Sequence, residues 1–232
     1  MNRAKVLAAA VHEALASNKN EKNKRPMEAY MKHHFSFFGI KAPDRRLLCR
    51  PIWKEYRNIE EAERMEAAKL LFDMEERECH YAAIELLERG TKKTLPSAID
   101  GYKQLLETKP WWDTVDPIAS KLCGAFFLRY PDFLRPVTEE WSRSETMWLR
   151  RSSLLHQLRY KEKTDRDLLY HVIHELKEER EFFIEKAIGW ALREYSKTAP
   201  EAVLLFVESH PLRPLSRREA LKWMKAQGML DV

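Results

Sequence analysis

The chain has 232 residues, of which 33% are charged, and a formal net charge of +5. This length allows one domain or two small ones with a sizeable core, and no apolar run approaches the ~20 residues that a membrane-spanning helix needs, so we expect a soluble protein. Only 6 glycines are present, which excludes the glycine-rich phosphate loops of Rossmann and P-loop enzymes.

Helical spacing of apolar residues extends over most of the chain, whereas the alternation typical of strands is scarce. Proline or asparagine interrupts this pattern every 15 to 20 residues. The predicted α-helices lie at 3–17, 26–38, 43–57, 60–73, 76–89, 95–107, 114–130, 132–142, 145–160, 165–177, 181–197, 200–209 and 215–226. Because no long linker divides them, we expect an all-α protein that forms a single domain over residues 1–232.

Basic charge is concentrated at the N-terminal end of the chain. Residues 1–58 carry 13 Lys or Arg against 5 Asp or Glu, whereas residues 59–108 carry 7 against 12. A basic region of this kind is typical of proteins that bind a polyanion, although an ordinary solvated surface gives the same pattern.

The N-terminal segment and the cysteines indicate the compartment. The apolar run at 6–10 is too short for a signal peptide and is soon followed by His12 and Glu13, so we expect a cytoplasmic protein. The 3 cysteines form no C-x-x-C pair, which indicates neither a disulfide framework nor a zinc site. We therefore interpret Cys49, Cys79 and Cys123 as reduced core residues.

A repeat of 35 residues runs through the middle of the chain. Steps of 35 residues from Tyr81 reach Asp116, Arg151 and Lys186. The neighbouring columns, which are other sets of positions 35 residues apart, are mostly apolar or small. The period is close to that of tetratricopeptide repeats, but their signature residues are missing, so we predict short HEAT-like helical pairs stacked into an α-solenoid. Equivalent positions then line up along one surface, and these four residues form a row.

The row has two interpretations. It could be a ladder of hydrogen bonds and ion pairs between repeats, or it could face a ligand. Trp112 lies four residues before Asp116 and Trp190 four after Lys186, so each indole shares a helix face with its row residue. Indoles beside charged residues favour a functional surface, and Gly189 leaves room for a close approach.

Pro117 predicts where the helix that carries Asp116 begins. Proline is tolerated in the first turn of a helix but not in its interior, so we expect a start at about Asp113 or Thr114, which places Asp116 in the first turn. The helix dipole and Arg151 would then favour an ionised carboxylate. Asp113 is the competing carboxylate, with a helix N-cap as its simplest role.

Five stretches carry a family resemblance. They are 27–32 (MEAYMK), 109–116 (KPWWDTVD), 147–151 (MWLRR), 182–195 (FFIEKAIGWALREY) and 215–220 (LSRREA). They resemble the signature stretches of the AlkD-type DNA alkylation repair family, the HEAT-like-repeat alkylpurine DNA glycosylases. The resemblance covers almost the whole chain.

The resemblance implies a right-handed, C-shaped solenoid with a basic concave groove, and a monofunctional glycosylase that acts in base excision repair. Such an enzyme releases cationic bases such as 3-methyladenine and 7-methylguanine from duplex DNA, leaves an abasic site, and uses no metal or cofactor. The family's catalytic aspartate matches Asp116, its lesion-binding tryptophans match Trp112 and Trp190, and the arginine beside them matches Arg151. In the family a non-proline residue usually follows the catalytic aspartate. Pro117 departs from this pattern, which puts the rate of base release in question.

The resemblance and the charge pattern also suggest contacts with DNA. Tyr30 matches the family's N-terminal tyrosine, and Arg151 is expected to hold a backbone phosphate. The further candidates for DNA contact are Arg159, Lys186, Arg193, Lys197, Arg217 and Arg218. We expect a monomer that associates with the bacterial nucleoid through DNA.

The expected mechanism follows from the charge of the lesion. An alkylated purine leaves readily, so ionised Asp116 would stabilise the oxocarbenium-like sugar and position the attacking water, while Trp112 and Trp190 offer π-faces to the cation. Nothing in the sequence marks Lys186 as a Schiff-base nucleophile. Two alternatives are a non-catalytic HEAT-like DNA-binding scaffold and a metal site at His171 and His174 or at His33 and His34, for which no third ligand is evident.

Overall fold

The computed structural model describes residues 2–230, and the regular structure in this part of the chain is helical. No strand occurs there; an isolated bridge joins Ser36 to Glu76. The described residues form two compact units, divided between Lys109 and Pro110. None of the described helices is long and apolar enough to cross a membrane. The prediction of an all-α protein is confirmed.

The first unit comprises residues 1–109. Its helices are α1 (Arg3–Ala16), α2 (Glu21–Tyr30), α3 (Ala42–Glu55), α4 (Glu61–Asp73), α5 (Arg77–Glu88) and α6 (Ala98–Glu107). Helix α4 packs against α1, α5 and α6, while α3 packs against α1 and α5.

The second unit comprises residues 110–232. It contains α7 (Trp112–Pro117), a π-helical segment (Ile118–Cys123), α8 (Gly124–Arg129), α9 (Leu134–Ser142), α10 (Met147–Leu155), α11 (Arg166–Leu176), α12 (Phe182–Ser196), α13 (Pro200–Ser209) and α14 (Pro214–Ala226). Helix α10 packs between α7 and α12, α12 packs on α14, and α9 packs on α11. Alternate helices thus stack on one another, as expected for an α-solenoid.

The 35-residue period has a packing basis. One column of equivalent positions is completely buried, with exposures of 0–1% for its four side chains. These residues are Cys79, Thr114, Leu149 and Ile184. Since each of them fills the same place in its helical pair, the period reflects repeated core positions.

Helix α2 differs from its prediction at both ends. The sequence predicted a helix over 26–38, but α2 begins five residues earlier, at Glu21. The Asn20 side chain caps the helix by accepting a hydrogen bond from the amide of Asn23. The helix ends at Tyr30, and the positive φ angles of Lys32 (53°) and His33 (58°) stop its continuation.

The three cysteines are buried and unpaired, as predicted. Burial raises the pKa of the Cys49 thiol to about 12 and also raises the pKa values of the other two thiols. All three side chains therefore serve as small apolar core residues.

Candidate active site

Asp116 lies one residue beyond the first turn of its helix. Helix α7 begins at Trp112, which makes Asp116 its fifth residue and corrects the predicted first-turn position. The N-cap is Trp111, with no side-chain capping bond, so the suggested N-cap role of Asp113 is wrong. The side chains of Trp112 and Asp116 nevertheless share one face, because four residues separate them.

Pro117 lies inside a continuous helix instead of in its first turn. The residue has no amide hydrogen to donate to the carbonyl of Asp113, and the six residues that follow it are π-helical. The Ser120 hydroxyl donates to the carbonyl oxygen of Asp116 at 2.7 Å. A widened helical turn thus directly follows the residues that carry the site, a placement common for π-helical segments.

Arg151 binds the carboxylate of Asp116 through two hydrogen bonds. Its Nε donates to Oδ1 at 2.8 Å and its Nη2 donates to Oδ2 at 2.9 Å, while Nη1 donates to the carbonyl oxygen of Phe183. The arginine is only 4% exposed. Each of its three nitrogens donates a hydrogen bond within the protein, which favours a role in positioning Asp116 over the predicted phosphate contact. Arg151 is a positioning residue for Asp116.

Burial controls the ionisation of Asp116. Desolvation raises the pKa of this carboxyl above its usual value and outweighs the two bonds from Arg151, which act in the opposite direction. Asp113 adds a smaller upward effect. The expectation that the helix dipole and Arg151 would together favour the ionised form is corrected, since it left out burial.

A cavity of about 250 Å³ opens beside Asp116. Its wall contains Trp112, Asp116, Arg151, Phe182, Phe183, Lys186, Trp190, Arg193 and Glu219. Four of the five charged wall residues and both tryptophans were predicted from the sequence to contact the substrate. The second unit alone builds this cavity, from helices α7, α10, α12 and α14.

The two cations of α12 in this cavity share one carboxylate. Lys186 Nζ lies 2.9 Å from Glu219 Oε1, and Arg193 Nη1 lies 2.7 Å from Glu219 Oε2. Both cations keep more solvent access than the carboxylate, with side-chain exposures of 37% and 23% against 11%. This arrangement leaves them accessible to an anion from the open side of the cavity.

The comparisons with known proteins agree with these observations. The family model described as DNA alkylation repair enzyme matches residues 11–224. The chain belongs to this DNA alkylation repair family. A solved structure described as a predicted DNA alkylation repair enzyme from Enterococcus faecalis is similar, with a TM-score of 0.84 and 35% sequence identity over 89% of this chain and 96% of that one. No curated protein matches the chain.

Membership gives this repair protein a role in the repair of alkylated DNA, with DNA as its substrate. The resemblance seen in the sequence is thereby confirmed at the level of the family. The α-solenoid fold is confirmed as well, because the similar solved structure spans most of the chain.

The other predicted DNA contacts of this repair protein lie outside the Asp116 cavity. Arg159 and Lys197 line a separate cavity of about 590 Å³. The guanidinium of Arg217 donates to the carbonyl of Val207, and Arg218 is exposed on the same helix, α14. Tyr30 is 71% exposed at the end of α2, in the first unit. The DNA contacts of these five residues stay predictions.

Sequence reasoning missed three wall residues: Phe182, Phe183 and Glu219. The aromatic pair opens the family-like stretch 182–195, which was the available signal. Phe183 is half-buried, with its ring 5.0 Å from that of Trp148, whereas Phe182 is 55% exposed at the cavity. Glu219 lies in the family-like stretch 215–220, which is a signal of the same kind, but only the packing of α14 on α12 brings it to the cavity.

Two of the histidines considered as metal ligands have other contacts. His171 Nε2 lies 3.5 Å from Glu175, and the ring of His174 contacts that of His210 edge to face. Within residues 2–230, no three His, Cys, Asp or Glu side chains cluster in a way that could hold a metal ion.

Proposed function

We propose that the protein is a monofunctional DNA glycosylase for cationic alkylated purines of the 3-methyladenine and 7-methylguanine type, acting in base excision repair. The observation that carries this proposal is a largely buried carboxylate, held by Arg151, that faces a cavity with two tryptophans and two cations. A protein that only binds DNA needs the cations, but gains nothing from a carboxylate set among them.

The reaction begins with loss of the base. The bond between C1′ and the purine nitrogen breaks, its electron pair neutralises the positive purine, and the sugar becomes an oxocarbenium-like cation. Ionised Asp116 stabilises that cation. A water molecule oriented by the same carboxylate then attacks C1′ and transfers a proton to the carboxylate of Asp116, which leaves an abasic site.

The surrounding residues have distinct parts in this mechanism. Arg151 fixes the plane of the Asp116 carboxylate through its two bonds. Trp112 and Trp190 offer π-faces to the cationic sugar or base, a contact worth about 0.5–2 kcal/mol each. Lys186 is bound to Glu219 in an ion pair, which supports a role in holding a phosphate and not as the free amine of a Schiff base.

We assign the remaining predicted contacts to the DNA backbone. Lys186 and Arg193 would bind phosphates at the lesion, and Tyr30 would contact DNA from the first unit. The proposed backbone contacts farther from Asp116 are Arg159, Lys197, Arg217 and Arg218. The proposal includes a monomeric protein that needs no metal or cofactor and works on nucleoid DNA in the cytoplasm.

The test compares a cationic with a neutral lesion. Two duplexes of one sequence carry a single 7-methylguanine or a single O6-methylguanine, and the free base released by excess protein is measured at moderate, matched salt. We expect release of 7-methylguanine only. A neutral purine carries no positive charge that the electron pair of the broken bond could neutralise. Equal release of both bases contradicts the mechanism, and binding without any release identifies the non-catalytic scaffold.

A further inference from the structure

Glu219 connects the two cations of the cavity. Lys186 and Arg193 lie seven residues apart on α12, two turns along one face. Glu219, from α14, accepts a hydrogen bond from each of them, at 2.9 and 2.7 Å on different oxygens. One carboxylate therefore fixes where both cations stand.

Gly189 makes this arrangement possible. A Cβ atom at this position would lie 2.5 Å from Cβ of Glu219 and 2.8 Å from the carbonyl oxygen of Ser216. The missing side chain thus lets α14 approach α12 closely enough for Glu219 to reach both cations. The hydrogen bond from Lys186 lowers the pKa of the Glu219 carboxyl, so this group is negatively charged at neutral pH.

The charged groups of the cavity do not cancel completely. Asp116 and Arg151 neutralise each other as a bidentate pair. Glu219 neutralises one of the two charges carried by Lys186 and Arg193, and the cavity retains one positive charge in excess. Without Glu219 the excess would be two.

We propose that Glu219 sets the charge of the site. It holds Lys186 and Arg193 ready for phosphate, and it cancels the second positive charge, which would repel a cationic base and the sugar cation. This inference rests on the proposed glycosylase function. Glu219 is a positioning residue, since its oxygens bind the two cations and not the reacting atoms.

This role makes DNA binding and base release respond in opposite directions. Phosphates bind better when a further cation is uncompensated, whereas a developing positive charge on the sugar is disfavoured by it. A residue with a merely structural role behaves differently, because its loss weakens binding and catalysis together.

The experiment compares Glu219→Gln with a matched control, Glu185→Gln. Glu185 also lies between α12 and α14, is equally buried at 11% of its side chain, and pairs with Arg213 at 2.8 Å, but it does not line the cavity. Two quantities are measured: the Kd of undamaged duplex across a salt series, and the single-turnover rate of 7-methylguanine release at saturating protein.

For Glu219→Gln we expect binding about threefold tighter at low salt and a salt slope steeper by about 0.9, the value of one additional phosphate contact. We expect base release to be about tenfold slower. Glu185→Gln should match the native protein in both measurements. A second variant, Glu219→Asp, retains the charge and should bring the salt slope back to the native value.

Two results would overturn the inference: weaker binding together with slower release, or no change in either. Failure of the proposed function looks different, because then the native protein itself releases no base. In that case the salt series alone decides whether Glu219 restrains the two cations. Thermal unfolding of each variant checks the fold, and should Glu219→Gln not fold, a salt slope for Glu219→Asp that departs from the native one contradicts the inference.

Discussion

Each unit of the protein buries a carboxylate, and the two differ in what binds it. Glu78, on α5, accepts hydrogen bonds from the backbone amides of Phe38, Gly39 and Ile40 at 2.9–3.0 Å. Asp116, on α7, is bound by the side chain of Arg151. Burial is the largest effect on both groups, and it raises both pKa values.

The difference separates a structural carboxylate from the proposed catalytic one. Glu78 is completely buried, and its partners belong to the loop that precedes α3, so its charge holds that loop in place. The Asp116 side chain keeps 13% of its surface exposed, toward a cavity. A side-chain partner anchored in the core fixes the carboxylate from behind and leaves its other side open to a substrate.

Removal of the structural carboxylate should have the largest effect on stability. Glu78→Ala leaves three buried amides without an acceptor, and at about 1–3 kcal/mol for each unsatisfied group we expect a loss of roughly 4 kcal/mol. Urea unfolding measures this loss. The exposed control Glu13→Ala should stay within about 0.5 kcal/mol of the native protein. A Glu78→Ala protein of native stability would refute the structural role.

A methyl group at Gly189 should disturb both stability and the site. Gly189→Ala forces α14 away from α12, since the added Cβ would lie 2.5 Å from Glu219, and overpacking of this kind costs about 1–3 kcal/mol. Calorimetry gives the change in Tm, and the salt slope of duplex binding shows whether Lys186 and Arg193 still contact phosphates as in the native protein. If stability falls while the salt slope stays native, the close approach of the helices does not control Lys186 and Arg193.

Arg151→Lys tests the anchor of Asp116. Lysine retains the positive charge but cannot form the two parallel bonds of a guanidinium, so we expect base release to fall about tenfold, with duplex binding unchanged. Single-turnover kinetics and a binding titration measure the two effects. Weaker binding with a native release rate would instead support the original expectation that Arg151 holds a phosphate.

The pH dependence of release should be the smallest effect at neutral pH. Because burial raises the pKa of Asp116 above the usual 3.8, its active, ionised form is lost at a higher pH on acidification than for an exposed aspartate. For stability the sign is opposite: a raised pKa favours the folded state at low pH, and this contribution disappears as pH rises through the folded pKa. A release rate that declines only below 3.8 contradicts the assignment.

The repeat and most of the site could be predicted from the sequence, because both depend on spacing along helices. Asp116, Arg151 and Lys186 are 35 residues apart, and stacked repeats bring such positions to one surface. The start of α2 was misplaced because Asn20 caps the helix and Pro26 is tolerated inside it.

What escaped the sequence depends on contacts between distant elements. Arg151 pairs with Asp116 because α10 is buried between α7 and α12. Glu219 reaches the cavity only because α14 crosses α12 at Gly189. The upward shift in the pKa of Asp116 comes from desolvation, which helical spacing does not reveal.

The most direct test of the role of Asp116 is the single-turnover release of 7-methylguanine by Asp116→Asn. The substitution removes the charge and nearly retains the shape, and Asp113→Asn is the matched control on the same helix. Release by Asp116→Asn should fall by about a hundredfold or more, with duplex binding within about threefold of native and the control unaffected. A release rate equal to that of the native protein would contradict a catalytic role for Asp116.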